Sequence, residues 1–216
     1  MSSQPYVVIA GRSRDTQNYE KAFRALGVKV FSTLNKEKAA SADYLILPGG
    51  GDITPAFFGQ HDHGSRSIDT ELDILQLQIL DFYVQGKRPV LGICKGIQMI
   101  NIYFGGNIHQ DLDTASVHQW IGHDQQHPVY HSGLQRDDFF YQLYGLSTIV
   151  NSAHHQGIDR LGLSLRAVCR SGDNVIEGVI HDSLPILGVQ WHPERCLESG
   201  GDILLEHFLS LSAGAG

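Results

Sequence analysis

Cysteine is scarce in this chain: its 216 residues hold three, at positions 94, 169 and 196. The number is odd and too small for a disulfide framework, which points to a reducing compartment. Basic runs are missing too. With 16 Lys and Arg against 23 Asp and Glu the formal charge is −7, so no cationic surplus exists to neutralise phosphates, and neither nucleic acid nor an anionic membrane is an expected partner. No apolar stretch is long enough to span a bilayer. The one nearest Met1, Tyr6 to Ala10, is too short for the core of a signal peptide and runs straight into polar residues, so the expected location is the cytoplasm. Internal repeats and low-complexity tracts are absent as well.

What is present is the apolar content of an ordinary globular chain. Hydrophobic residues make up 42% and charged residues 18%, enough for a substantial core and without the polar bias of disorder. The length suits one α/β domain over residues 1–216. Short apolar runs alternate with segments of helical period, the pattern of a parallel sheet covered on both faces. Strands are predicted at Tyr6 to Ala10, Val28 to Phe31, Asp43 to Leu47, Pro89 to Ile93 and Ile186 to Trp191. Between them, Tyr19, Ala22, Phe23 and Leu26 form one helical stripe closed by Gly27, and Leu72, Leu75, Ile79 and Tyr83 a second. Ile97, Ile100 and Phe104 mark a helix that stops at Gly105-Gly106, and Leu204, Phe208 and Leu211 a terminal one. Leu165 to Cys169 and Val175 to Ile180 flank a turn-rich tetrad, so an antiparallel hairpin is expected at one edge. His109 to His131 reads as an irregular excursion near the mouth of a site.

Gly92-Ile93-Cys94-Lys95-Gly96 is the strongest chemical signal. A buried strand turns sharply into a helix around one reactive side chain, the nucleophile-elbow arrangement with cysteine in place of serine. Small neighbours are required there, because a Cβ two residues before or after would collide with adjacent backbone. The first turn of the following helix points unpaired N–H groups and positive dipole at Cys94, favouring the attacking thiolate. The competing reading is a buried structural cysteine in a glycine-containing loop. A cysteine nucleophile works with a histidine that is itself oriented by a third group. His192-Pro193-Glu194 supplies both at the carboxyl end of a predicted strand, where α/β sheets place their sites. In extended backbone the two side chains would project to the same side.

Four ordered motifs then resemble a known family: Pro48-Gly49-Gly50-Gly51-Asp52-Ile53, Gly92 to Gln98, Asn151-Ser152-Ala153-His154-His155-Gln156 and Gly188 to Glu194. Together they span nearly the whole chain and resemble a class I glutamine amidotransferase, more narrowly its γ-glutamyl-γ-aminobutyrate hydrolase-like branch, of peptidase C26 type. The resemblance implies a flavodoxin-like three-layer α/β/α sandwich with a mostly parallel central sheet and a small antiparallel edge. It implies a triad of Cys94, His192 and Glu194, with an oxyanion hole from backbone N–H groups of Gly50 or Gly51 and of Lys95. A plain turn is the competing reading of the triple glycine, and the Walker pattern of a phosphate loop is absent. Gln98, Asn151, Ser152, His154 and His155 are the implied substrate-binding residues, holding the glutamyl unit.

The implied reaction runs through a γ-glutamyl thioester, takes a small γ-glutamyl compound as substrate, releases glutamate and needs no cofactor. Relatives carry Arg-Asp ahead of the elbow, followed by an acid. Here Leu72-Asp73 and Gln76 stand at the matching places and the segment Asp52 to Ser67 is short, so the leaving amine stays open. Two alternatives remain: a glutaminase subunit donating ammonia to a separate synthetase, and an inactive binding module on the same fold. A homodimer also stays open. Twelve histidines raise a metal site, with His61 and His63, or His118, His123, His127 and His131, as ligands. None has zinc spacing and the cysteines have no close partners, so solvated loop histidines and no metal are expected.

Overall fold

The computed structural model describes residues 4–119, 126–133 and 138–212. In its first half the chain forms β1 (Tyr6–Ala10), α1 (Gln17–Ala25), β2 (Lys29–Thr33), α2 (Lys36–Ala39), β3 (Tyr44–Leu47), α3 (Thr70–Gln85), β4 (Val90–Ile93), α4 (Lys95–Tyr103) and β5 (Ile108–His109). Then come β6 (Gln126–His131), α5 (Phe139–Tyr144), β7 (Ser147–Asn151), β8 (Gly157–Ile158), β9 (Leu165–Ser171), β10 (Ile176–His181), β11 (Ile186–Val189) and α6 (Gly201–Ser210). The sheet runs β2-β1-β3-β4-β11-β10-β9-β6-β7. Its β2 to β11 part is parallel throughout. From β11 onward every pairing is antiparallel.

Alternation along the strands feeds two cores. Val7 and Ile9 of β1 face one cluster with Tyr19, Phe23, Leu204 and Phe208, while Val8 and Ala10 face the other with Ile79, Leu80, Tyr83 and Ile100. Helices α1 and α6 therefore cover one face and α3 and α4 the other, which gives the three-layer α/β/α sandwich. No helix among the described residues is long and apolar enough to cross a membrane.

Three expectations are corrected. The inward stripe of α3 is Asp73, Gln76, Ile79, Leu80 and Tyr83 rather than one starting at Leu72 and Leu75. Both polar residues are turned inward by partners from elsewhere, since Thr54 donates to Asp73 and the Gln76 amide donates to the carbonyl of Ala10. Helix α4 is buried on all sides from Lys95 to Ile102, because Ile97 packs in a small third cluster with Ile158, Ile176 and Val179. The polar stretch expected to be irregular contains β6, which pairs with β7 and β9 and lengthens the antiparallel part beyond a hairpin.

Candidate active site

Strands β3, β4 and β11 lie side by side and parallel, so the segments that follow their carboxyl ends are brought together. After β3 come Gly49 to Gly51, after β4 comes Cys94, and after β11 come His192 and Glu194. Cys94 has φ +54° and ψ −107°, a strained conformation for a residue with a side chain. Packing enforces it. A Cβ on Gly92 would sit 2.5 Å from the backbone of Gly96, and one on Gly96 would overlap the carbonyl of Leu47. The sulfur stands at the N-terminus of α4, 3.9 Å from the carbonyl oxygen of Ala153.

Cys94 and His192 meet over Gly49: a Cβ there would lie 3.1 Å from His192 Cε1 and 3.3 Å from Cys94 Cβ. Behind the ring, His192 Nδ1 is 2.9 Å from Glu194 Oε1. The two residues are joined through a 3₁₀ turn, Pro193–Arg195, and not through the extended backbone expected from their spacing. The same carboxylate oxygen accepts from Asn18 Nδ2 at 3.1 Å and lies 3.4 Å from Arg195 Nε. Burial pulls the His192 imidazolium down, but the charges of Glu194 and Cys94 outweigh it and its pKa is pushed up to about 10 from the ordinary 6.5. The imidazole is therefore held in its protonated form across neutrality.

A raised histidine gives its charge-pair stabilisation in full below pH 6.5 and loses it as pH climbs through about 10. Proton NMR of the His192 ring should show a midpoint near 10 in the wild type. Glu194→Gln should lower that midpoint, since Cys94 alone then opposes burial; an unmoved midpoint would contradict the assignment of the shift.

Gly50, Gly51, Cys94, Lys95, Gln98, His154 and His155 all line one cavity of about 70 Å³, along with Asp52, Ala153 and Gln156. The amide of Gln98 donates to Gln190 Oε1 and to the carbonyl of Gln156. Both ring nitrogens of His155 are taken, Nδ1 by Asp111 at 2.9 Å and Nε2 by Asp52 at 3.0 Å. A larger hollow of about 620 Å³ lies behind Glu194, but Cys94 does not line it, so size does not choose the site.

Asn151 and Ser152 are not among the residues lining the Cys94 cavity. Asn151 instead clamps the histidine: its Oδ1 accepts from His192 N at 3.2 Å and its Nδ2 donates to His192 O at 3.0 Å. Ser152 Oγ lies 3.4 Å from His127 Nε2. Asn151→Ala should therefore cost about 1–3 kcal/mol of stability, by orphaning buried backbone groups, and lower kcat roughly tenfold or more with KM little changed. Steady-state kinetics and thermal unfolding check this; a rise in KM at constant kcat would place Asn151 in substrate binding instead.

The expectation of solvated histidines is corrected for His118, His127 and His131. His118 is fully buried between Asp173 and Glu177, His127 contacts Glu177, and His131 pairs with Asp138 at 2.8 Å. Carboxylates from β10, the β9–β10 turn and the start of α5 draw them inward, Glu177 and Asp138 themselves being buried. His61 and His63 are exposed, and His123 lies outside the described residues. Motif reading also misses Asn18, Tyr19 and the pair of Lys95 with Asp73. The Tyr19 hydroxyl accepts from Gly49 N at 2.8 Å, and burial, with the charges of Glu194 and Cys94, holds it well above its ordinary pKa and so neutral. Its only sequence signal is its place on the α1 stripe, which reads as core.

A strained cysteine at a strand-to-helix turn, beside a buried His-Glu pair that follows a neighbouring parallel strand, is the arrangement of the class I glutamine amidotransferase type of α/β protein. The chain belongs to the Peptidase C26 family of hydrolases, whose family model matches residues 19–194. Among its relatives, Protein NtpR of Enterococcus hirae is 32% identical over 186 residues, covering 79% of this chain and 77% of that protein. The γ-glutamyl-CDP-amidate hydrolase of Campylobacter jejuni is 31% identical over 151 residues, 70% of this chain and 62% of that protein. A solved glutamine amidotransferase from Thermotoga maritima shares the fold with a TM-score of 0.62 at 17% identity, over 96% of this chain and 86% of that one.

Proposed function

We propose that the protein hydrolyses the γ-glutamyl amide bond of a small γ-glutamyl compound, releasing glutamate and an amine. The observation that carries this reading is the meeting of Cys94 and His192 over Gly49, with Glu194 2.9 Å behind the imidazole. Thiolate attack on the γ-carbonyl forms the C–S bond and moves the carbonyl electron pair onto oxygen. Backbone N–H groups of Gly50 or Gly51 and of Lys95 receive that oxyanion. His192 then gives its proton to the departing amine as the C–N bond breaks, leaving a γ-glutamyl thioester. Neutral His192 next takes a proton from water, whose oxygen displaces the sulfur and frees glutamate. Glu194 keeps the imidazole in one tautomer throughout.

In this reading the acyl side occupies the cavity at Cys94, which Asp52 and His155 also line. Free thiols at Cys94, Cys169 and Cys196 support a reducing cytoplasm as the setting. The deciding experiment is a glutamate-release assay of the purified protein over a panel of γ-glutamyl amides that includes glutamine. Release from one or more larger amides, exceeding that from glutamine, is expected. Glutamine turnover that appears only with a synthetase added would favour the ammonia-donating alternative. No release from any member, by folded protein, would end the hydrolase reading.

A further inference from the structure

Behind the wall of the Cys94 cavity, three histidines from separate stretches of chain close around one buried carboxylate. His118 Nδ1, His127 Nε2 and His154 Nε2 stand 3.4, 3.2 and 3.5 Å from Glu177 Oε1. The side chains of His118 and Glu177 are fully buried and that of His154 is 2% exposed. Even so, His118 Nδ1, His154 Nε2 and Glu177 Oε2 find no hydrogen-bond partner among the described residues. Three orphaned polar atoms around one point are costly unless something occupies it.

The outward nitrogens are already committed. His118 Nε2 lies 2.9 Å from Asp173 Oδ2, and His154 Nδ1 lies 2.9 Å from the carbonyl oxygen of Gln156. Carboxylates and carbonyls only accept, so each of these nitrogens carries the hydrogen. In the neutral rings the inward nitrogens are then lone pairs aimed at an anionic oxygen, an arrangement that repels itself unless a cation lies between. Metal-ligating histidines are held in this way, the outer N–H on a carboxylate or backbone carbonyl and the inner lone pair on the ion.

Charge points in the same direction. Glu177 and Asp173 bring two carboxylates to the cluster, which one divalent cation balances. Protons would balance them only as two imidazoliums, and the His118 ring centre is 4.6 Å from that of His154 and 4.9 Å from that of His127, close enough for strong mutual repulsion. Tetrahedral zinc with bonds of about 2.0–2.1 Å has donor–donor edges of about 3.4 Å, near the 3.4 and 3.2 Å that separate His118 Nδ1 and His127 Nε2 from Glu177 Oε1. The donor atoms of His118, His127 and Glu177 all lie within 4.8 Å of one another.

We propose that the protein binds one divalent transition-metal ion of the zinc class through His118 Nδ1, His127 Nε2 and the Glu177 carboxylate, with His154 packed beside the same carboxylate. Two imidazoles and one carboxylate suit zinc and not the all-oxygen preference of magnesium or calcium. Three protein donors leave the fourth tetrahedral position to a water molecule. The ion ties the 3₁₀ turn at 115–118 and β6 to β10, beside His154, whose segment walls the Cys94 cavity.

The test is metal binding by the whole chain, with no hydrolysis readout, so its outcome is independent of the reaction proposed above. Chelator-stripped protein is titrated with Zn²⁺ against a chromophoric competitor, and with Co²⁺ followed by visible d–d absorption, with thermal melts in parallel. One ion per chain, a tetrahedral cobalt spectrum and a raised melting temperature are expected. In Glu177→Gln and His127→Gln, affinity should weaken at least roughly tenfold. If a variant fails to fold, the wild-type cobalt spectrum and stoichiometry still decide. Folded wild type that takes up no ion and shows no thermal shift, an octahedral cobalt spectrum, or binding unchanged in both variants would each overturn the proposal.

Discussion

Cys94→Ser is expected to lower glutamate release by at least roughly 10³-fold while the melting temperature stays close to that of the wild type. The substitution changes side-chain volume little and leaves the strained turn in place. What it removes is an easily ionised atom. A serine hydroxyl must surrender its proton to His192, which Glu194 still draws toward its protonated form. Neither remaining thiol can substitute. Burial, with nearby Glu177 and Asp138, holds Cys169 well above its ordinary range, and burial with Glu194 pushes Cys196 up to about 11. Steady-state kinetics, with mass spectrometry of a glutamyl adduct on Cys94 in the wild type alone, checks the expectation. Undiminished release by the serine variant would remove Cys94 from the mechanism.

Lys95→Met is expected to cost about 3–5 kcal/mol of stability, the largest single loss proposed outside the catalytic groups. Lys95 Nζ stands 2.5 Å from Asp73 Oδ1, with the two side chains 3% and 0% exposed. Asp73 Oδ2 also accepts from Thr54 N at 2.8 Å and Thr54 Oγ1 at 2.7 Å. One ion pair thus binds the elbow to α3 and to the loop that carries Gly50 and Gly51. Methionine keeps the length of the stem but strands a buried carboxylate, and that stranded charge is the main cost. Asp73→Asn combined with Lys95→Met should therefore lose less than Lys95→Met alone. Chemical denaturation of the two variants tests the non-additivity; equal losses would mean that packing of the lysine stem, not charge, sets the effect.

Gln76 fits the same picture. Its amide bonds the carbonyl of Ala10, so the buried lysine faces one carboxylate on α3. Gln76 thus lies against β1 and is not among the residues lining the Cys94 cavity.

Cys94, His192 and Glu194 are legible because each is announced by its neighbours: glycines two residues either side of the cysteine, and a proline between histidine and acid. The parallel half of the sheet is legible for a similar reason, since strands buried on both faces must be apolar throughout. Strand β6 is hidden because Gln126-His127-Pro128-Val129-Tyr130-His131 offers only one fully buried apolar residue, Val129. The inward face of α3 is hidden because periodicity counts apolar residues, and Asp73 and Gln76 are accepted inside only by virtue of partners 19 and 66 residues away.

By itself, then, the sequence determined the family, the layered α/β architecture and the three side chains that come together as Cys94, His192 and Glu194, all of them properties of short contiguous segments. Tertiary structure alone decided that Asn151 grips the backbone of His192, that His155 is spent on Asp52 and Asp111, and that three histidines surround Glu177. A polar side chain far from its partner carries no local signal, because burial makes it acceptable only after the chain has folded and supplied the group that satisfies it.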